Sequence, residues 1–461
     1  MTMWSPSLPA ESEPKYLALV DALERDIETG RLKPGDRLPT HRQLADRLGL
    51  ALGTVSRAYG TAERRGLVSG EVGRGTFVRR GEQPDEVVAE DEDPSLIDFS
   101  KSRLARSPDD QVLRRALETL ARRSDLDRLA DLYQPAAGMA RHRATGAAWV
   151  RRAGLEAEPG RVVVTSGAQH GAAMVLASLT RPGDIVLTEQ LTYTGVKAIA
   201  SLLHLQLQPL AFDAEGVRPD AFAAACRAGA PRALYCMPTL QNPTGRTMSL
   251  ARRRELIEVA LKHDVPLVED DVYGFLPDAP LPPLTALAPT ISYYITSTSK
   301  SLVPGLRVGY VVAPTAKVER VAGIIRASTW LTSPLLAELA TLWIESGEAD
   351  ELVTWKRVET AERQALAHRV LAPWLPDTPE RGINLWLPLP EPWRTEEFVA
   401  QARGRGVIVS PSEEFVVGRE SAPHAVRISL GAGANRARLE EGLQHLAATL
   451  REGPEPSLTI Y

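Results

Sequence analysis

The chain has 461 residues, too many for one ordinary hydrophobic core, and its length alone predicts about three domains. Its hydrophobic content of 44% and charged content of 24% are typical of soluble globular proteins. The net charge of −4 argues against a surface generally suited to polyanions, but it allows a local basic patch. We expect no signal peptide, no membrane contact and no metal site, and Cys226 and Cys236 form no CxxC pair, which fits a reducing cytoplasm.

Charge is distributed unevenly along the chain, which predicts a domain boundary. Residues 31–80 contain eleven Lys or Arg and four Asp or Glu, a local balance of +7. Residues 82–93 then contain seven acidic residues and no basic residue. Because few of these residues could build a core, we predict a solvated, flexible linker at 81–96. It would separate a small basic domain at 1–80 from a large body at 97–461.

The basic domain is predicted to contain three helices and a hairpin. Apolar residues recur at helical spacing between Tyr16 and Ile27, and the helix should end at Gly30. Thr40-His-Arg-Gln43 has the form of a capping box and predicts a short second helix. A third helix is predicted from Leu52 to Arg65, and two short strands around a glycine turn within residues 67–78. This order of elements is typical of a winged helix-turn-helix.

Polar and basic residues of this domain are predicted to contact double-stranded DNA, because a recognition helix meets base edges at its N-terminal end and phosphates need basic partners. The predicted contacts are Arg37, Thr40, Arg42, Thr54, Ser56, Arg57, Tyr59, Arg74 and Thr76. The alternative is a small protein-binding domain whose basic residues serve only solubility. The segments "LPTHRQLADRLGLALGTVSRAY" and "GRGTFV" resemble the DNA-binding domain of the GntR family.

In the large body, apolar runs alternate with amphipathic stretches, which predicts an α/β fold with a mainly parallel sheet covered by helices. The clearest predicted elements are strands at Val162–Val164, Ile185–Leu187, Ala233–Cys236 and Val265–Val268, and a helix from Ser249 to His263. Ligands of such folds collect at the carboxyl ends of the strands. Nearly every chemically suggestive residue of the body follows such an end.

Four motifs at these ends have ordinary explanations when each is taken alone. "TSGAQH", residues 165–170, is a glycine turn that offers backbone N–H groups to a phosphate, but many strand-to-helix turns look alike. Asn242, in "QNPTG", could cap a turn, and the carboxylates of "EDDVY", residues 269–273, could be a metal site or a helix cap. Lys300, in "TSTSKSLVPGLRVGY", could be a solvated charge, but it follows the apolar run Ile291–Ile295 and lies among groups suited to phosphate.

Taken together and in this order, the motifs resemble those of fold type I aminotransferases over approximately residues 97–450. The resemblance implies pyridoxal 5'-phosphate as the cofactor, with Lys300 as the Schiff-base lysine, Asp270 rather than Asp271 on the pyridine nitrogen, and Tyr193 stacked on the ring. Asn242 and Tyr273 would hold the 3'-oxygen. The implied phosphate contacts are Gly167, Ala168, Gln169, Ser297, Ser299 and Arg307, with Tyr133 reaching the phosphate of a second subunit in a homodimer.

The resemblance also implies a substrate pocket. Arg427, in "AVRISLG", would clamp an α-carboxylate, although a surface ion pair of a strand Arg is an alternative. Asn384 and Trp386, in "INLWLPLP", would line the pocket. We expect a large subdomain at about 140–315 and a smaller α+β subdomain at about 316–461. One departure from the family pattern is "MARHR", where His142 replaces the usual Leu and puts the local packing in question.

The two halves together resemble the MocR subgroup of GntR regulators. This implies a transcription regulator that binds pyridoxal phosphate, senses an amino compound or the cofactor itself, and binds an operator with repeated half-sites as a homodimer. A working aminotransferase with an accessory DNA-binding domain is the alternative, because the catalytic set looks complete. A partner-binding protein that has lost the cofactor is disfavoured, because no residue of the set from Tyr193 to Arg307 is missing.

Overall fold

The computed structural model describes residues 4, 6, 14–33, 35–64, 67–71, 75–78, 95–107, 109, 111–375, 382–418, 421–433 and 435–454. The chain separates into two compact units, with the division after residue 93. Arg74 and positions 81–94 of the predicted linker lie outside the described residues. In the described part of the chain, no helix is long and apolar enough to cross a membrane.

The described residues of the N-terminal unit form three helices and a two-stranded wing. These elements are α1 (Lys15–Glu28), α2 (His41–Leu48), α3 (Leu52–Arg64), β1 (Val68–Glu71) and β2 (Gly75–Val78). Thr40 caps α2, and the side chains of Thr40 and Gln43 each accept a hydrogen bond from the other's backbone N–H, so the predicted capping box is confirmed. Gly49 follows with a φ of +62°, the left-handed turn that a glycine allows between α2 and α3. The predicted winged helix-turn-helix is confirmed.

The second unit is an α/β structure with a smaller α+β part. Its strands are β3 (Ile97–Asp98), β4 (Val162–Thr165), β5 (Ile185–Glu189), β6 (Gln206–Leu210), β7 (Phe212–Asp213), β8 (Gly216–Val217), β9 (Ala233–Cys236), β10 (Leu267–Asp270), β11 (Ser292–Ser297), β12 (Gly309–Val312), β13 (Asn384–Pro388), β14 (Val407–Ile408), β15 (Ser410–Pro411) and β16 (Ala425–Ser429). Its helices are α4 (Val112–Ala121), α5 (Leu126–Asp131), α6 (Ala140–Val150), α7 (Ala168–Leu179), α8 (Thr194–Leu202), α9 (Pro219–Ala228), α10 (Leu250–His263), α11 (Leu284–Leu287), α12 (Thr298–Ser301), α13 (Val318–Ser328), α14 (Pro334–Glu345), α15 (Glu348–Leu371), α16 (Thr395–Gly404) and α17 (Arg436–Glu452).

The main sheet confirms the prediction of a mostly parallel α/β fold. Among the described residues its seven strands lie in the order β4-β12-β11-β10-β9-β5-β6, and β12 alone runs antiparallel to its neighbours. The strand predicted to begin at Val265 begins at Leu267, because Pro266 has no backbone N–H for the ladder. Since β9, β10 and β11 are parallel, the residues that follow them meet at one edge of the sheet.

The smaller part has a hydrophobic core of its own, built from Ile97, Phe99, β13, β16, α17 and the C-terminal half of α15. The N-terminal half of α15 packs instead on the core of the main sheet, together with α13 and α14. The two parts therefore separate within α15, and the expected division at about 316 differs from the structure. The segment at 97–99 belongs to the smaller part because β3 pairs with β14.

His142, the residue that departs from the family pattern, is buried in α6. Its Nε2 lies 2.8 Å from Oε2 of Glu338 on α14, which also accepts hydrogen bonds from Arg123 and Arg141. A buried carboxylate needs hydrogen-bond partners. His142, which stands where the family usually has Leu, supplies one of them to Glu338.

Candidate cofactor site

Lys300 lies on the short helix α12, directly after β11 ends at Ser297. Its Nζ donates a hydrogen bond to the backbone oxygen of Ser102. Burial and the charges of Arg427 and Arg307 lower the pKa of the amine, the charge of Asp270 opposes them, and the resulting pKa is about 8. The alternative of an ordinary solvated surface lysine is therefore wrong. A lysine whose ammonium form is disfavoured in this way can act as a nucleophile near neutral pH.

Asp270 is the last residue of β10 and is buried. Its Oδ2 accepts a hydrogen bond of 2.7 Å from the Tyr235 hydroxyl, while its Oδ1 has no hydrogen-bond partner among the described residues. Burial raises the pKa of Asp270 to about 6, although the Tyr235 hydrogen bond and the charge of Lys300 lower it. The unpaired oxygen is a place for a proton donor from a bound molecule, such as a protonated ring nitrogen.

Asp271 points to the other side of the strand, since successive side chains alternate across a sheet. Its Oδ2 accepts a hydrogen bond of 2.9 Å from the Tyr294 hydroxyl and lies where a side chain on Gly274 would have to sit. The charge of Lys300 lowers the pKa of Asp270 but is not among the main causes that shift the pKa of Asp271, which places Asp270 nearer to the Lys300 amine. This arrangement supports the preference for Asp270 over its neighbour.

Tyr273 and Asn242 are both buried and lie on loops that follow β10 and β9. The Tyr273 hydroxyl lies 2.8 Å from the Ser102 hydroxyl, which in turn donates to Oδ1 of Asn384 at 3.2 Å. Asn242 Oδ1 accepts a hydrogen bond of 3.0 Å from Arg427. The sequence reasoning missed Ser102, and no local pattern around it signals a role.

The loop before α7 and the loop after α12 together form an anion cup. Gly167 precedes α7 with a φ of +89°, and a methyl group built on it would lie 2.7 Å from Nη2 of Arg307. Arg307 also donates a hydrogen bond of 3.1 Å to the Ser299 hydroxyl, and Ser297 is buried at the end of β11. The N-terminus of a helix has free backbone N–H groups, so Ala168 and Gln169 add donors there. These groups fit a phosphate.

Two predicted aromatic contacts differ in their placement. Tyr193 precedes α8 and is half-buried. It lies close to Tyr235, whose pKa is raised by burial, by Asp270 and, to a smaller extent, by Tyr193. Tyr133 is 84% exposed, and its ring lies 5.7 Å from that of Trp330, which is 54% exposed. Within one subunit Tyr133 is therefore a surface residue.

Arg427 on β16 is only 6% exposed, so the alternative of a surface ion pair is wrong. Its guanidinium donates to the Ser100 carbonyl and to the Ser410 hydroxyl, the latter at 3.1 Å, and lies 4.8 Å above the Phe415 ring. Arg427 and Lys300 bind backbone oxygens only two residues apart, those of Ser100 and Ser102, and the charge of Arg427 helps to lower the pKa of the Lys300 amine. A buried guanidinium is suited to receive a carboxylate.

Two further residues stand near Arg427 on the paired strands of the smaller part. Asn384 on β13 has a buried Nδ2 without a hydrogen-bond partner among the described residues. Trp386, two residues later, is half-buried, with its ring 6.3 Å from that of Phe415.

Most of the predicted DNA contacts among the described residues are exposed or half-buried. Arg42, Ser56 and Arg57 are exposed, Thr54 is half-buried, and the Arg57 guanidinium lies 4.2 Å above the Tyr16 ring. Arg37, Thr40 and Thr76 lie on the loops and wing around them.

Tyr59 differs from the other predicted DNA contacts. It is 4% exposed, and its hydroxyl donates a hydrogen bond of 2.9 Å to the Pro39 carbonyl. It supports α3 from within and does not face solvent, so the expectation that it contacts DNA is corrected.

Comparisons with known proteins agree with both units. Residues 95–446 match the family of class I and II aminotransferases, and residues 15–78 match the gntR family of bacterial regulatory proteins. The chain is 34% identical to the HTH-type transcriptional regulator YdeF of Bacillus subtilis, over 97% of this chain and 96% of that protein. It is 28% identical to the probable rhizopine catabolism regulatory protein MocR of Rhizobium meliloti, over 94% and 93% of the two chains.

The fold of the second unit is also similar to solved structures. One is LysN, an α-aminoadipate aminotransferase from Thermus thermophilus, solved with N-(5'-phosphopyridoxyl)-L-leucine. The identity is 25% and the TM-score 0.70, over 78% of this chain and 93% of that one. The amine of Lys300, the unpaired oxygen of Asp270 and the cup at Gly167 fit the aldehyde, ring nitrogen and phosphate of pyridoxal phosphate. The chain thus belongs to the class I and II aminotransferase family and, through its gntR-type helix-turn-helix, is a DNA-binding and pyridoxal-phosphate-binding transcription regulator of the MocR kind.

Proposed function

We propose that this regulator senses an amino compound that carries a carboxylate, and that the ligand changes its DNA binding. One observation carries the proposal: the buried guanidinium of Arg427 donates to the backbone oxygen of Ser100, and the Lys300 amine donates to that of Ser102, two residues later. A carboxylate receptor therefore stands beside the amine that would hold the cofactor. When bound, pyridoxal phosphate supplies an aldehyde that reacts with amines and a ring that withdraws electrons.

The other residues of the site receive roles from their positions. Asp270 would keep a proton on the pyridine nitrogen, because its unpaired oxygen needs a donor. Asn242 and Tyr273 would hold the 3'-oxygen, and Tyr193 would lie on the ring. The phosphate would be held by Gly167, Ala168, Gln169, Ser297, Ser299 and Arg307. Asn384 would line the ligand pocket with its Nδ2, which has no hydrogen-bond partner among the described residues.

Regulation would follow from the position of the ligand between the two parts of the second unit. Lys300 belongs to the part with the main sheet, and Arg427 to the smaller part that includes the segment at 97–99. A ligand that contacts both parts would favour one arrangement of them. The linker would pass this population shift to the DNA-binding domain, which reads paired half-sites in a cytoplasmic homodimer.

The homodimer is supported by apolar residues exposed on α4, next to α5 and around the start of α14. These residues are Leu113, Leu117, Leu132, Tyr133, Trp330 and Leu335. Clustered exposed apolar side chains of this kind mark interaction sites. In a homodimer, Tyr133 would lie near the phosphate of the partner subunit. Analytical ultracentrifugation should give a dimer, and Tyr133→Glu should shift it toward the monomer.

The first test is the visible absorption of the protein with pyridoxal phosphate during titration with a panel of amino compounds. One carboxylate-bearing compound should change the spectrum without any further conversion of the cofactor. The concentration of that compound that changes the spectrum should also change the affinity of the protein for its operator. Lys300→Ala should lose the absorption band while keeping its circular dichroism. A spectral change without any change in operator affinity, for every compound that binds, would refute the sensing role.

A working aminotransferase is the second candidate, and the complete set of Lys300, Asp270, Asn242, Tyr273 and Arg427 around one site favours it. In that case the titration would continue to the pyridoxamine form, and a keto acid would restore the starting spectrum. Product should then form steadily from an amino acid and a keto acid at rates of enzymes, on the order of 1 to 1,000 per second.

A further inference from the structure

Lys356 is a buried lysine that stands beside Lys300 and has no part in the roles given above. It lies on α15 and is 5% exposed. Its Nζ donates to the backbone oxygen of Lys300 at 2.9 Å and to that of Leu302 at 2.5 Å. A buried lysine is rare unless its amine has such partners, and here both partners belong to the turn that carries Lys300.

The two carbonyl groups lie at the C-terminal end of α12, where a helix leaves its last oxygens without intrahelical partners. Leu302 caps α12 with φ −109° and ψ −101°, outside the helical region, so the turn is not held by regular helix geometry. Lys356 supplies donors to both oxygens from a different helix. Its contacts therefore fix the backbone from which the side chain of Lys300 extends.

The charge of Lys356 is small at the pH where Lys300 titrates. Burial and the charge of Lys300 together lower the pKa of Lys356 to about 7, below the pKa of about 8 of Lys300. The charged groups that face Lys300 are Arg427 and Arg307, which oppose its protonation, and Asp270, which favours it. Lys356 therefore acts on Lys300 through its hydrogen bonds to the turn and not through its charge.

We infer that Lys356 is a positioning residue for Lys300: it holds the turn that carries the cofactor amine. The inference rests on the role proposed for Lys300. It assigns to Lys356 an effect on cofactor capture that is separate from its contribution to folding.

The test measures the ionisation of Lys300 in the full-length protein without cofactor. Competitive acylation across a pH series, followed by mass spectrometry of the Lys300 peptide, gives the midpoint of its reactivity. Pyridoxal phosphate capture is measured beside it by borohydride trapping at the same lysine. The variants are Lys356→Met, Lys356→Arg as the conservative change, and Leu366→Ala, a buried position farther along α15 that should lower stability alone.

Lys356→Met should slow capture at neutral pH by about tenfold, because the turn that carries Lys300 loses both of its hydrogen bonds to Lys356. The midpoint of Lys300 should stay within about half a pH unit, so the slower capture would not come from a change in ionisation. Lys356→Arg should recover most of the capture rate, and Leu366→Ala should lower the melting temperature without slowing capture. Unchanged capture in Lys356→Met, with or without a lower melting temperature, overturns the inference. Trapping that persists in Lys300→Ala would instead overturn the role of Lys300.

Discussion

Asp270→Asn should make the cofactor-free protein more stable at high pH while it weakens cofactor binding. Burial raises the pKa of Asp270 from 3.8 to about 6, so the folded protein prefers the neutral carboxyl group. The contribution of Asp270 to stability is therefore fully present below pH 3.8 and is lost as the pH rises through about 6. A shift of about two units corresponds to a cost of about 3 kcal/mol in the free energy of unfolding at pH 8.

The Asn side chain cannot ionise and can still accept the Tyr235 hydrogen bond. At pH 5 the cost of burying Asp270 is about half of its value at pH 8. The carboxyl group is already ionised in the unfolded chain at that pH but is still mostly protonated in the folded protein. The advantage of the variant should therefore grow by about 1.5 kcal/mol between pH 5 and pH 8. Urea unfolding of the cofactor-free proteins at the two pH values measures this difference.

Asp271→Asn is the matched control, because burial raises the pKa of Asp271 to about 7 as well. Both variants should gain stability at pH 8. Only Asp270→Asn should lose affinity for pyridoxal phosphate, by about 10- to 100-fold, the effect of one hydrogen bond to a charged group. Equal pH dependence of Asp270→Asn and the unaltered protein would refute the argument from buried charge, and equal affinity losses in the two variants would refute the assignment to Asp270.

Three other changes test the remaining parts of the molecule. Gly167→Ala should weaken the affinity for pyridoxal phosphate in equilibrium dialysis by about tenfold or more, because its φ is positive and its methyl group would meet Arg307; pyridoxal without phosphate should be less affected. Arg427→Met should lower the affinity for carboxylate-bearing effectors by about 10- to 100-fold in spectral titration and leave the affinity for amines without a carboxylate unchanged. Equal losses of affinity for both kinds of compound would contradict the role of Arg427. Arg57→Ala should weaken operator binding and reduce the salt slope by about one, and unchanged affinity at moderate salt would remove Arg57 from the interface.

Residues at strand ends were predictable, because hydrophobic runs mark the strands and a parallel sheet brings their ends together. Asp270 and Ser297 both end strands of the main sheet, as the runs before them indicate. The capping box at Thr40 was equally clear, because its two hydrogen bonds join residues only three positions apart. In these cases the sequence pattern and the contact are local.

Contacts between distant segments were not predictable in this way. Ser102 meets Tyr273 across 171 positions and Asn384 across 282, and no periodic pattern links them. Lys356 has the sequence setting of an ordinary exposed helix lysine, and only the fold buries it against the turn at Lys300. Tyr235 had a weak signal, since its strand leads directly to the loop with Asn242, but its bond to Asp270 depends on the pairing of β9 with β10.

If the ligand regulates DNA binding as proposed, the division of the second unit predicts that cofactor chemistry and regulation respond to different parts of the ligand. Lys300 and Arg427 belong to parts with separate hydrophobic cores, which share α15 and pack on its different halves. A ligand shifts an equilibrium only through contacts that differ between its states. An amine without a carboxylate can occupy Lys300 and leave Arg427 in its contacts with Ser100 and Asn242. Such a compound should change the spectrum of the cofactor and leave operator affinity unchanged, whereas a compound that reaches both residues should change both.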